Sequence, residues 1–127
     1  MNKLAEQPAL RDDPSMASHP LDAMTAAPDH HRILFENDKV RVLDTKVPAG
    51  ERTPVHAHEW PAALYVLSWS DFIRRDAEGA VLVDSRDRPR PEPGAGLWID
   101  PLPPHSVENV GPADLHIVAV EVKRPDA

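Results

Sequence analysis

The sequence predicts an all-β domain, a sandwich or barrel of short strands, on three observations. Its apolar runs are short and rich in Val, Ile, Leu, Trp, Tyr and Phe, and several alternate with polar residues at period two, the strand signature. Turn residues separate these runs at regular intervals. The chain also carries 15 prolines against 5 glycines, which opposes long helices because an interior proline removes a backbone donor and clashes with the preceding turn. At 127 residues it suits one domain with one core.

Residues 1–28 are rich in Pro, Ala, Asp and Ser and show no sustained period. They read as a flexible tail or as an arm packing on a partner subunit, with a single domain over 29–127. From His31 the texture changes. "HRILFE" (31–36) is broken by "ND", and "KVRVLDTKV" (39–47) by "PAG". "AALYVLSWSDFIRRD" (62–76) ends at "AEGA", and "VLVDS" (81–85) runs into "RDRPRPEPGAG" (86–96), too proline-rich for a central strand and expected as an exposed loop. "GLWID" (96–100) and "HSVENV" (105–110) flank "PLPP", and "GPAD" leads into "LHIVAVEV" (115–122). No internal repeat of fixed period occurs.

Composition narrows function. A net charge of −7 and a pI of about 5.4 argue against a nucleic-acid partner. No apolar run approaches the roughly 18 residues that span a bilayer, so no membrane partner is expected. The N-terminal stretch lacks the apolar core of a signal peptide, and a cytoplasmic protein is expected. Without cysteine there is neither a disulfide framework nor a thiolate metal site, so any metal is held by His, Asp, Glu or water.

Along a strand, residues i and i+2 share a face and lie about 6.5–7 Å apart. His56 and His58 can therefore aim both imidazoles at one point, and His105 completes a three-nitrogen set if its segment is their neighbour in a rolled sheet. Spacing alone leaves a chance pair open in a chain with 7 histidines. His19, His30, His31 and His116 read as tail, strand-start or surface residues.

The context of the three resembles the cupin superfamily. "GERTPVHAH" supplies Gly50, His56 and His58 at the offsets of the first cupin motif, G-x5-H-x-H-x3–4-E-x6-G. "GLWIDPLPPHSVEN" supplies a glycine, prolines, His105 and Asn109 of the second, G-x5-P-x-G-x2-H-x3-N. The resemblance implies a jelly roll, the double-stranded β-helix or cupin barrel, with His56, His58 and His105 as metal ligands, and it implies a homodimer. The sequence departs from the pattern twice. Asp100 and Leu102 stand where Pro and Gly are expected, and the motif glutamate falls at position 62 or 63, both alanine. Glu59, the nearest carboxylate, follows His58 directly and points to the opposite face of a regular strand unless a bulge at Pro61 re-aims it.

Three neutral imidazoles leave a divalent ion its full charge, which strengthens it as a Lewis acid and favours anionic or chelating substrates. Such ligation suits Fe, Zn or Ni and disfavours Mg and Ca. Within the resemblance the set is similar to the three-histidine iron dioxygenases. A mononuclear metal oxidoreductase acting on a small chelating or anionic ligand is the first functional expectation, and a non-catalytic module binding a small molecule or metal is the second. If position 63 is the lost-glutamate site, strand parity puts Ala63, Tyr65 and Leu67 inside. Tyr65 is then the candidate catalytic donor, or else a core tyrosine. Trp98 either walls the cavity or packs in the core. Arg41, Arg52, Arg74 and Arg75 read mostly as solvated residues, and one of them, which the sequence does not single out, is open as the partner of a substrate carboxylate. Asn109 is expected to orient backbone near the site. Because ligating imidazoles must be neutral, metal occupancy is expected to fall as pH drops through ~6.5.

Overall fold

Period two in the sequence becomes alternate burial in the structure. In the strand "LHIVAVEV", Leu115, Ala119 and Glu121 are buried and the residues between them are more open. In "VRVLDTKV", Arg41, Leu43 and Val47 turn the same way. These two strands pair antiparallel over their whole length, from Val40↔Val122 to Val47↔Leu115, so their inward residues share one face, apolar except for Arg41 and Glu121 at one end.

The computed structural model describes residues 19–123, and residues 1–18 of the expected tail or arm lie outside them. The described strands are β1 (His31–Glu36), β2 (Val40–Val47), β3 (His56–His58), β4 (Ala62–Ser68), β5 (Phe72–Asp76), β6 (Val81–Asp84), β7 (Gly96–Ile99), β8 (Leu102–Asn109) and β9 (Leu115–Val122). They form a five-stranded sheet, β1-β2-β9-β4-β7, and a four-stranded sheet, β3-β8-β5-β6, antiparallel in every pairing. The all-β jelly roll expected from the sequence is present, built as two facing sheets. No closed barrel links them among the described residues.

Residues 86–96 behave as their prolines dictate. A 3-10 turn, Ser85–Asp87, leads into a largely exposed loop that ends at β7. Residues 19–28 pack on the sheets: Asp22 caps a short helix, α1 (Ala23–Ala26), by accepting from the Met24 amide at 3.0 Å. Asp22, Ala23 and Ala27 are fully buried. Ala23 joins Leu43, Ala62 and Ala119 in the core, and a parallel bridge ties Asp22 to Ala57 on β3. No described helix is long and apolar enough to cross a membrane.

Candidate metal centre

Pairing of β3 with β8 sets His56 directly opposite His105. The register then slips, so that His58 faces Leu102, and Pro103 and Pro104 occupy the irregularity. Proline cannot donate to a ladder, which confines it to such places. The ring of His105 lies 4.5 Å from that of His56 and 5.6 Å from that of His58, centroid to centroid. The structure thus brings together the three histidines singled out in the sequence.

It also adds a fourth. His31 opens β1, as expected of a strand-start residue, but its ring turns inward, 4.9 Å from His56 and 5.6 Å from His58. One ring nitrogen from each of His31, His56 and His58 lies within 4.8 Å of the others. His31, His56 and His105 are all less than 5% exposed, at 4%, 2% and 2%.

Hydrogen bonds decide the tautomer of all four rings. His31 Nδ1 meets the Ala27 carbonyl at 3.0 Å, His56 Nδ1 the Pro54 carbonyl at 2.8 Å, and His105 Nδ1 the Pro103 carbonyl at 2.9 Å. His58 Nδ1 meets Glu121 Oε2 at 3.0 Å. A carbonyl or carboxylate only accepts, so each Nδ1 carries the proton and each Nε2 keeps its lone pair. Among the described residues no hydrogen bond engages those four Nε2 atoms. Burial keeps His31, His56 and His105 neutral: it is the main cause that lowers the first two to about 3 and the third to about 4. Neighbouring imidazoles lower each of them further, against the upward pull of its backbone carbonyl.

The carboxylate absent from β4 reappears on the adjacent strand. Glu121 sits on β9 opposite Ala62, one of the two alanines at the expected glutamate position. It does not simply replace that glutamate. Its Oε2 holds His58, and its Oε1 accepts from Arg41 Nε at 2.6 Å. Arg41 in turn makes a two-pronged contact with Asp22, Nη1 to Oδ2 at 3.0 Å and Nη2 to Oδ1 at 2.8 Å. Asp22, Arg41 and Glu121 are all at most 1% exposed. Burial alone would raise the Glu121 carboxyl, but hydrogen bonds from His58 and Arg41 outweigh it and hold the group below its usual range. Burial likewise opposes the Arg41 charge, and its two carboxylate partners outweigh that and raise it. One cation between two anions leaves a fixed charge of −1 beside the histidines. That charge suits a cation bound to neutral rings.

The histidines occupy one part of a cavity of about 330 Å³ between the sheets. The rest is mainly apolar, with Val47, Leu64, Phe72, Leu115 and Ile117 on its walls. Trp60 and Trp69, to which the sequence assigns no role, also line it. Trp98 borders the cavity but is 59% exposed, which excludes the core role.

Tyr65 requires a correction. The face of β4 that turns inward carries Ala62, Leu64 and Val66; Ala63, Tyr65 and Leu67 point outward, and Tyr65 is 50% exposed. Tyr65 does not line the cavity. "AALYVLS" is almost continuously apolar, so its inner face cannot be read from polarity, and the choice of position 63 over 62 reversed every residue after it.

Asn109 acts at a distance from the rings. Its Nδ2 donates to the carbonyls of Val47 and Ala113, both at 2.8 Å, and its Oδ1 accepts from Ser70 Oγ at 2.8 Å and the Gly111 amide at 3.0 Å. Gly111 fits there because a Cβ would lie 2.2 Å from Ser70 Oγ. Of the four arginines, Arg41 is buried in the network, Arg75 pairs with Glu108 at 2.6 Å, Arg52 bridges Glu108 through backbone, and Arg74 alone lines the cavity.

Two facing antiparallel sheets with histidines converging between them define a double-stranded β-helix with a candidate metal site. Solved structures agree on the fold. A cupin domain from Bordetella pertussis superposes with a TM-score of 0.60 at 19% identity, covering 74% of this chain and 92% of that one. An RmlC-like cupin with a double-stranded β-helix fold from Methanocaldococcus jannaschii gives 0.51 at 13% identity, covering 72% and 77%. The polyketide cyclase RemF from Streptomyces resistomycificus gives 0.50 at 22% identity, covering 80% and 70%. No protein-family model and no curated protein matches the sequence. The chain has the cupin fold.

Proposed function

We propose that this cupin-fold protein binds one divalent transition-metal ion through His56, His58 and His105, joined by His31, and uses it as a mononuclear oxidoreductase on a small chelating or anionic substrate. The observation that carries the metal reading is the shared hydrogen-bond pattern: the buried His31, His56 and His105 and the half-buried His58 each spend Nδ1 on the protein and leave Nε2 unengaged. Such a donor set fits Fe, Zn or Ni, whose borderline character matches imidazole. Bound there, the ion supplies Lewis acidity, and iron also supplies redox chemistry with dioxygen.

The chain's own residues support that role. The Pro54, Pro103 and Ala27 carbonyls and Glu121 hold the rings against rotation, and mainly apolar side chains line the remainder of the cavity. One feature favours a non-catalytic binding module as the second reading. The Glu121 carboxylate beside the rings is committed to His58 and Arg41, which leaves it no free role in proton transfer.

Elemental analysis of tag-free protein expressed in metal-supplemented medium tests the site. Near-stoichiometric iron, zinc or nickel, lost in His105→Ala and in His56→Ala, is the expected result; less than about a tenth of an equivalent of any transition metal rejects it. Oxygen uptake by iron-loaded protein over thiols, β-diketones and aromatic diols then tests the oxidoreductase, and no uptake leaves the binding module.

We further propose a homodimer. Its support is β1, a sheet edge on which Ile33, Leu34 and Phe35 are 39%, 46% and 54% exposed. Light scattering after size exclusion is expected to give twice the 14.1 kDa chain mass, and a monomer at micromolar concentration overturns it.

A further inference from the structure

Arg74 is the cavity's unspent cation. It lies on β5 opposite Val107 of β8, with Phe72 two residues before it, and all three line the cavity. Its guanidinium carbon stands 5.9 Å from the Phe72 ring centre. Its Nε is buried with no hydrogen-bond partner, and among the described residues no carboxylate pairs with its guanidinium. The two carboxylates that line the cavity are otherwise engaged: Glu121 holds Arg41 and His58, and Asp100 accepts from Trp98 Nε1. Arg75, its neighbour in sequence, faces the other way and is paired with Glu108. A guanidinium in an apolar wall without an anion costs free energy that an entering anion returns. Burial first, and repulsion from Arg88 second, lower the Arg74 proton affinity, as expected of a cation lacking its counter-charge.

We propose that Arg74 binds the carboxylate of an apolar monocarboxylate whose hydrocarbon or aromatic body fills the cavity against Phe72, Trp69 and Leu64. The proposal rests on the reading of this cavity as the ligand site and names the substrate class for it. A single fixed cation selects a single negative charge, and the apolar walls select the rest of the molecule. Val107, opposite Arg74, lies two residues from His105 on β8, and all three line the cavity, so a carboxylate held by Arg74 places the body of the ligand in the same cavity as the histidines.

Calorimetric titration of the full chain with phenylacetate and with its neutral isostere phenylacetamide tests this, on protein as purified and after chelator treatment. Wild-type protein is expected to prefer phenylacetate by about tenfold or more, the value of one charge-assisted contact. Arg74→Gln is expected to abolish the preference and Arg75→Gln to keep it. Equal binding of the two compounds, absence of phenylacetate binding, or a preference that survives Arg74→Gln overturns the proposal. The wild-type comparison decides even if Arg74→Gln does not fold. Metal analysis of the same samples separates the two readings: a phenylacetate preference in protein that binds no metal sinks the metal site and leaves this proposal standing, and metal without the preference does the reverse.

Discussion

Two buried polar clusters are built on strand β8, one around His105 and one around Asn109, and they handle hydrogen bonds in opposite ways. At Asn109 both amide hydrogens and the oxygen are used, joining the ends of β2 and β8 to the Ser70 and Gly111 turns. Around His105 each of four cavity-lining imidazoles uses Nδ1, and no hydrogen bond among the described residues engages Nε2. A cluster that closes on itself stabilises the fold. A cluster that leaves matched lone pairs unengaged is suited to hold a further group, as proposed above.

The largest effect that distinguishes the two regions is expected at Arg41. Arg41→Met removes the cation between Asp22 and Glu121 and leaves two buried carboxylates unpaired, a loss of about 3–5 kcal/mol in denaturant unfolding together with loss of metal. Asn109→Ala strands several buried groups and is expected to cost about 2–3 kcal/mol of stability, yet metal bound per folded molecule should be unchanged. If Asn109→Ala releases metal while folded, the two clusters are not separate. Glu121→Gln keeps an acceptor for His58 Nδ1 but removes the charge, and metal affinity is expected to fall about 10–100-fold. An unchanged affinity would show that the fixed charge does not serve the site.

The most gradual effect is that of acid on metal-free protein. His31, His56 and His105 have folded-state values of about 3, 3 and 4, below the ordinary 6.5. Between those values the unfolded chain binds more protons than the folded one, so stability is complete above ~6.5 and declines as pH falls toward 4, by up to about 1.4 kcal/mol per pH unit for each ring. Urea unfolding at pH 7, 6 and 5 measures it, and a flat profile would mean that these rings are not buried and neutral. Metal retention shifts accordingly. His31, His56 and His105 resist protonation well below the ~6.5 of a free imidazole, so metal is expected to persist below that pH rather than to be displaced through it.

The fold was legible because local pattern and turn residues suffice for short antiparallel strands, and His56, His58 and His105 were legible because two lie at i, i+2 and the third sits at a matching motif position. His31 was not. It enters the site through its position at the start of β1 and through a carbonyl of the segment before it, Ala27, and neither leaves a spacing signal. The double histidine at 30–31 ahead of an apolar run was the only local cue. Glu121 was hidden for a related reason: it meets Ala62 through the β4–β9 ladder, a pairing between distant parts of the chain. Its place inside an apolar run, "VAVEV", on the inward parity of β9 was the signal available. Tyr65 shows the converse, a residue whose face was inferred from a motif position in a strand with no polarity of its own.

Anomalous diffraction at the metal edge, from crystals grown with iron or zinc, tests the central claim most directly. One ion is expected among the histidines, ligated through Nε2 of His56, His58 and His105 with His31 beside them, and Glu121 still turned to His58 Nδ1 and Arg41. An ion ligated by Glu121, or no ion between the four rings, would contradict it.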